Sequence, residues 1–206
     1  MELSKNDRWA VISPGRTGSK VIVDCLRNTY RDNGLRLTYL SPDIQTSNLS
    51  PLSIYHTHNH HNISLAEQGV NLILSTRDLV DSAISWCISH KIGYYHLYSS
   101  IHQSEIDKLH NNLPSFILSP ADLYFQYKMI SRFYENLDKS LLSNVIVIDY
   151  EDIKDDHTIV YSRLRIPEST KYKKIPTKNP GTPDQWIINW KEIAELASKL
   201  ERRPLL

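Results

Sequence analysis

Two cysteines in 206 residues, Cys25 and Cys87, are too few for a disulfide framework. Both fall in apolar stretches with helical spacing, as buried free thiols of a reducing compartment do. No apolar run is long enough to span a bilayer, and the opening residues Met1, Glu2, Lys5, Asp7 and Arg8 hold polar and charged groups where a signal peptide has its apolar centre. A cytoplasmic protein with no membrane span is expected, so the glycosylation-type triplets at Asn48 and Asn62 are chance occurrences. An excess of one charge is also missing. A formal net charge of +1 gives no general attraction for nucleic acid or anionic membranes, and any anion site must be local. Repeats and low-complexity tracts are absent. Glycine is scarce, with six in the chain, and two of them, Gly15 and Gly18, share one short loop.

What remains has a globular composition, 40% hydrophobic and 23% charged, in a length suited to one domain over 1–206 with a substantial core. Trp9 to Ser13 reads as a short strand ending in a Pro and Gly turn, and Val21 to Tyr30 follows with apolar residues at helical spacing. Leu35 to Leu40, Pro51 to Thr57, Val70 to Ser75 and Asn144 to Ile148 read as further strands. Their nearly continuous apolar runs suit a parallel sheet covered on both faces. Helices are expected over Leu79 to Lys91, over Asp122 to Leu137 with a cap near Ser119, and over Pro183 to Arg203 as one piece. The alternation implies an α/β fold, a three-layer sandwich around a mainly parallel sheet, with a ligand at the carboxyl edge. Residues 92–119 are the least periodic, either an insertion covering a substrate pocket or a plain surface excursion. Tyr94, Tyr95, Tyr98 and Phe116 within it are available to stack on an acceptor or to pack a core.

The chemistry concentrates in Ser13-Pro-Gly-Arg-Thr-Gly-Ser-Lys20, between the first strand and the first helix. Backbone N–H groups and the helix dipole make such a turn an anion site. Gly15 and Gly18 permit close backbone approach, Arg16 and Lys20 add charge, and Thr17 and Ser19 add hydroxyl donors. Gly15 and Gly18 are too close for a Walker A motif, and no Lys-Ser or Lys-Thr pair follows the second.

The loop resembles the donor-binding loop of the sulfotransferase family, which runs Pro, basic residue, Ser or Thr, Gly, Ser or Thr after the first strand. Arg16 takes the basic position; Gly15 stands where Pro is usual, and Lys20 replaces a frequent hydroxyl residue. A second likeness is an Arg at the end of a central strand with a Ser eight residues later, here Arg77 and Ser85. The resemblance implies that both contact the 3′-phosphate of the donor 3′-phosphoadenosine 5′-phosphosulfate. The alternative is a surface Arg77 paired to Asp78 or Asp81, with Ser85 merely exposed. A third likeness is Val145 to Asp152, matching a late strand ending in Tyr-Glu-Asp, for which a structural role is expected. The basic stretch Lys171 to Lys178 corresponds to a mobile basic loop over the donor, which brings Lys174 and Lys178 to it; its alternative is a solvated charged loop.

Four histidines crowd into Tyr55-His-Thr-His-Asn-His-His61. Aligned on the family's Lys-Thr-His pattern, His58 becomes the general base and His56 takes the lysine's place. Imidazole titrates near neutrality and suits removal of a hydroxyl proton. Alternating histidines also suit zinc, but the nearest acid, Glu67, lies beyond the cluster, and no metal is expected. The resemblance implies a P-loop-NTPase-like sulfotransferase fold and sulfuryl transfer to a hydroxyl of a carbohydrate or small molecule, with His58, His56 and Arg16 at the reaction centre. Two rivals stand beside it: a P-loop-type kinase or other phosphotransferase, and a nucleotide-binding protein without turnover.

Overall fold

Parallel pairing follows from strands too apolar to face water on either side. The computed structural model describes residues 3–40, 50–92, 115–170, 182–204 and 206, which group into two compact units. The first unit takes in Met1–Arg77, Arg132–Tyr172 and Pro204–Leu206, and the second Asp78–Ser131 and Lys173–Arg203.

The first unit carries an all-parallel sheet of five strands: β1 (Arg8–Ile12), β2 (Thr38–Leu40), β3 (Ser53–Thr57), β4 (Asn71–Thr76) and β5 (Val145–Asp149). Their order across the sheet is β2-β3-β1-β4-β5. The chain leaves β1 toward the β2–β3 side and later crosses to β4 on the other, so β1 ends at the point where the order reverses. Ligands of open α/β sheets bind there, outside the carboxyl ends of the strands. Helix α1 (Ser19–Asp32) starts from that point.

Register explains the core. Trp9 lies opposite Ile54, Val11 opposite Ile73, and Ser75 opposite Ile148, so one face of the sheet presents Trp9, Val11, Ile54, Ile73 and Ile148 to the apolar side of α1. Ile22, Val23, Cys25, Leu26 and Tyr30 of α1 fill that layer with Val160, Tyr161 and Leu164. Ala10, Ile12, Tyr55, Leu72 and Leu74 point the other way and are equally buried. Both expectations, an α/β fold and a parallel sheet, match this architecture.

Local chemistry sets the element ends. Gly34 at φ 72° lets the chain leave α1, and β2 starts only at Thr38, later than the periodicity of Leu35 to Leu40 implies. Asn59 accepts the His61 N–H at 3.0 Å and opens a 3₁₀ segment, His60–Gln68, that no periodic pattern announces.

In the second unit, α2 (Leu79–Ile92) is capped by Asp78, which accepts the Asp81 N–H at 2.9 Å. Arg202 clasps the same turn, its Nε 2.7 Å from Asp78 and its Nη2 2.8 Å from Asp81. Helix α3 (Pro120–Glu135) begins just after Ser119 and is shared between the units. The expected helix over Pro183 to Arg203 is interrupted: a 3₁₀ turn at Pro183–Gln185 precedes a parallel bridge between Ile187 and Phe116. The Asn189 side chain then bonds both the N–H and the carbonyl of Leu118, at 3.0 and 2.9 Å. These strand-like bonds cost less than leaving the Phe116–Leu118 backbone unpaired, so helix resumes only at Trp190–Ala197. Two short helices also follow β5, at Tyr150–Ile153, here α4, and at Thr158–Leu164, here α5; α6 is Trp190–Ala197. Residues 93–114, with Tyr94, Tyr95 and Tyr98, lie outside the described residues. Among the described residues no helix is long and apolar enough to cross a membrane.

One buried network ties α1 to β1. The Trp9 indole donates to the Tyr30 hydroxyl at 2.9 Å, and that hydroxyl donates to Asp7. Burial and the Asp7 bond push the Tyr30 phenol above its usual range. Tyr30→Phe strands the Trp9 N–H in the core, so the urea midpoint should fall by the equivalent of about 1–3 kcal/mol with an unchanged slope.

Candidate functional site

The loop between β1 and α1 is held open by its own carbonyl groups. The Ser13 carbonyl accepts from His58 Nδ1 at 2.8 Å, the Arg16 carbonyl from Arg77 Nη1 at 3.1 Å, and the Thr17 carbonyl from Ser75 Oγ at 2.6 Å. A trans peptide points its N–H opposite to its C=O. With the carbonyls of Arg16 and Thr17 drawn back toward β4, the N–H groups of Thr17 and Gly18 face the opposite side of the loop. No hydrogen bond among the described residues takes either of them. The buried Thr17 hydroxyl and the buried Arg77 Nε also have no partner. Buried polar atoms are seldom left so: the two N–H groups make the turn a socket for an oxyanion, and Arg77 Nε offers a separate donor beside it.

Backbone conformation supports the same shape. Gly15, Arg16 and Gly18 all have positive φ, at 93°, 60° and 74°. For Arg16 this is a strained state, held by the carbonyl bond to Arg77. A Cβ on Gly18 would lie 2.5 Å from Cδ2 of Tyr150, so that position has room for glycine alone.

Charge is concentrated beside the socket. Burial, and then the nearby Arg77, lower the Arg16 guanidinium to about 10, against a smaller opposing effect of Tyr150. Arg77 itself lies over the Tyr150 ring, its Cζ 4.3 Å from the centroid. Asp78 and Asp81, the acids next to Arg77 in sequence, are engaged by Arg202. Lys20 does not add a free cation: its Nζ is 2.6 Å from Asp24, one turn along α1.

The histidines divide by position. His56, in β3 opposite Val11, is buried on the α1 side with Nε2 2.9 Å from Ser19 Oγ and Nδ1 3.4 Å from the Tyr39 hydroxyl. Ser13 Oγ donates to the same Ser19 hydroxyl at 3.2 Å. His58, just past the strand, is exposed. A carbonyl oxygen only accepts, so the 2.8 Å contact with Ser13 requires the proton on Nδ1 and leaves Nε2 of the neutral ring as the acceptor. The two rings meet edge to face at 5.0 Å. The His60 and His61 rings meet at a tilt, with centroids 4.0 Å apart, and burial, then His61, lowers the His60 imidazole. Among the described residues no three His, Cys, Asp or Glu side chains converge to hold a metal ion.

No family model, curated protein or solved structure matches the chain. The site therefore stands on its own geometry. Of the residues singled out in the sequence, the first unit brings Gly15, Arg16, Thr17, Gly18, Ser19, Arg77, His56 and His58 to one sheet edge. Ser85 belongs to the second unit, where it is buried on α2 rather than exposed. Lys174 and Lys178 lie outside the described residues. Ser75 and Tyr150 are not anticipated as parts of the site, and Ser13, which opens the expected loop, takes the unexpected part of orienting His58. Ser75 alone carried a signal, because it precedes Arg77 by two residues and so shares its side of the strand; backbone acceptors and a ring packed on glycine leave no mark in a sequence.

Two outcomes check this geometry. Gly18→Ala combines positive φ with the Tyr150 clash and should cost about 2–4 kcal/mol in denaturant unfolding, whereas Gly34→Ala, with nothing within 4 Å, pays only the positive φ, about 1 kcal/mol. The second concerns pH. Because the native Arg16 is lowered, its burial costs stability while both states hold the proton, below about pH 10, and that cost shrinks as pH rises further. Affinity for inorganic sulfate, whose own charge is constant here, should be level to about pH 9 and fall toward tenfold per unit above the Arg16 value.

Proposed function

We propose that this chain is a sulfotransferase of P-loop-like α/β fold that moves a sulfuryl group from 3′-phosphoadenosine 5′-phosphosulfate to an acceptor hydroxyl of a carbohydrate or small molecule. The observation that carries the proposal is the pair of anion-binding features at one sheet edge: a loop whose N–H groups are left open by tied-back carbonyls, and beside it Arg77, whose Nε is buried without a partner. Two separate sets of donors suit a ligand with two separate anionic groups. The likeness of Ser13–Lys20, Arg77 and Ser85 to the family's motifs supports the same donor.

When bound, the donor supplies the sulfuryl group and leaves as 3′-phosphoadenosine 5′-phosphate. His58 Nε2 takes the proton of the acceptor hydroxyl while the acceptor oxygen forms its bond to sulfur. The bond from sulfur to the bridging oxygen breaks, and its electron pair stays with the 5′-phosphate. The Thr17 and Gly18 N–H groups and Arg16 stabilise that growing charge, a role preorganised by the carbonyl ties. Ser13 keeps His58 in the tautomer the step needs, as the carbonyl partner of a general base does. His56, buried against Ser19, holds the start of α1 beside the base rather than touching the acceptor.

Calorimetric titration with 3′-phosphoadenosine 5′-phosphate beside adenosine 5′-phosphate tests the proposal. The first should bind at least about tenfold more tightly, and Arg77→Ala should remove the difference, as expected for a charge-assisted contact. Equal affinities, or magnesium-dependent binding of ATP in preference to both, overturn it. His58→Gln should keep the nucleotide affinity and lose about 10²–10⁴-fold in sulfuryl transfer. Tight binding with no transfer by the unaltered protein to a broad acceptor panel would leave a nucleotide-binding protein instead.

A further inference from the structure

An arginine that reads a phosphate must be held in one orientation without losing its charge or its donors. A carboxylate partner would hold it but take both. Arg77 is held differently. One amino group donates to the Arg16 carbonyl, the guanidinium carbon lies over the Tyr150 ring 4.3 Å from its centroid, and Nε is buried with no partner among the described residues. Stacking on an aromatic face orients a guanidinium through its π surface and uses none of its N–H groups.

The fold puts the ring there by register. Thr76 of β4 lies opposite Asp149 of β5, and the Thr76 hydroxyl donates to the Asp149 carboxylate at 3.0 Å. Asp149 also accepts the Glu151 N–H at 2.9 Å and so caps α4. The first residues beyond these two strands are then Arg77 and Tyr150, side by side at the carboxyl edge. The ring has a second neighbour, because its Cδ2 edge occupies the space a side chain at Gly18 would fill. One aromatic plate therefore touches both the phosphate loop and the arginine.

We infer that Tyr150 is a positioning residue for anion recognition, which holds Arg77 through its ring face and the loop through its ring edge, so that the two sets of donors keep one spacing. The inference rests on the donor proposed above, goes beyond the structural role expected of the Tyr-Glu-Asp segment, and requires the ring but not the phenol hydroxyl.

The experiment compares the unaltered protein with Tyr150→Phe and Tyr150→Leu. Three quantities are measured: the preference for 3′-phosphoadenosine 5′-phosphate over adenosine 5′-phosphate, the urea midpoint, and the NMR position of the Arg77 Nε–H, which a ring beneath it moves upfield. Tyr150→Phe should keep the preference within about twofold and keep the upfield position, whereas Tyr150→Leu should lose roughly tenfold of the preference and the upfield position together. Retention of the full preference by Tyr150→Leu overturns the inference, as does an Arg77 Nε–H with no upfield displacement in the unaltered protein, a reading that needs no variant to fold. An unaltered protein without any 3′-phosphate preference overturns the sulfotransferase proposal; the NMR comparison then still decides whether Tyr150 orients Arg77.

Discussion

Three carbonyl groups of one loop are tied back by side chains from neighbouring strand ends, and the remainder of the site depends on those ties. His58 comes from the end of β3, and Ser75 and Arg77 from the end of β4. β3 and β4 flank β1 and run parallel to it, so all three strands finish at the same edge, and the loop after β1 is gripped from both sides. The Arg16 and Thr17 carbonyls, drawn into the protein, turn the N–H groups of Thr17 and Gly18 outward, whereas the Ser13 carbonyl precedes Pro14 and only fixes the start of the loop. The anion socket is thus a consequence of sheet topology acting through peptide planarity, not of the glycines alone.

The arrangement is costly, and the costs have a common direction. Arg16 sits at positive φ, two guanidinium groups approach each other, and a threonine hydroxyl and an arginine Nε are buried without partners. Each of these would be relieved by an anion. A bound anion would complete the stability of a site that carries such costs. Lys20 is the exception, since Asp24 already neutralises it.

Histidine geometry extends the same logic. His56 shares the face of Val11 and enters the α1 layer, whereas His58, past the end of the strand, leaves the alternation and bonds back to Ser13. One imidazole becomes a buried link to Ser19; the other is exposed, with its tautomer set. Four neighbouring histidines therefore do not act as a unit, and a metal-like spacing in the chain leads to no metal-like cluster among the described residues.

Periodicity and composition determined the α/β class, the parallel sheet, the β1–loop–α1 unit and the concentration of anion-binding residue types in Ser13 to Lys20, because burial on both faces of a sheet and the turn into a helix are local demands that residue choice must meet. Long-range partners decided the rest. The helix expected from Pro183 to Arg203 is broken by a bridge to Phe116 and by Asn189 bonding Leu118, contacts about seventy residues away in sequence that no window around Pro183 contains. Lys20 looked like a free cation until α1 placed Asp24 beside it. Tyr150 looked structural until strand register set it under Arg77 and against Gly18. A sequence lists which donors and charges exist, but which of them are already satisfied depends on partners that only the folded chain brings within hydrogen-bonding distance.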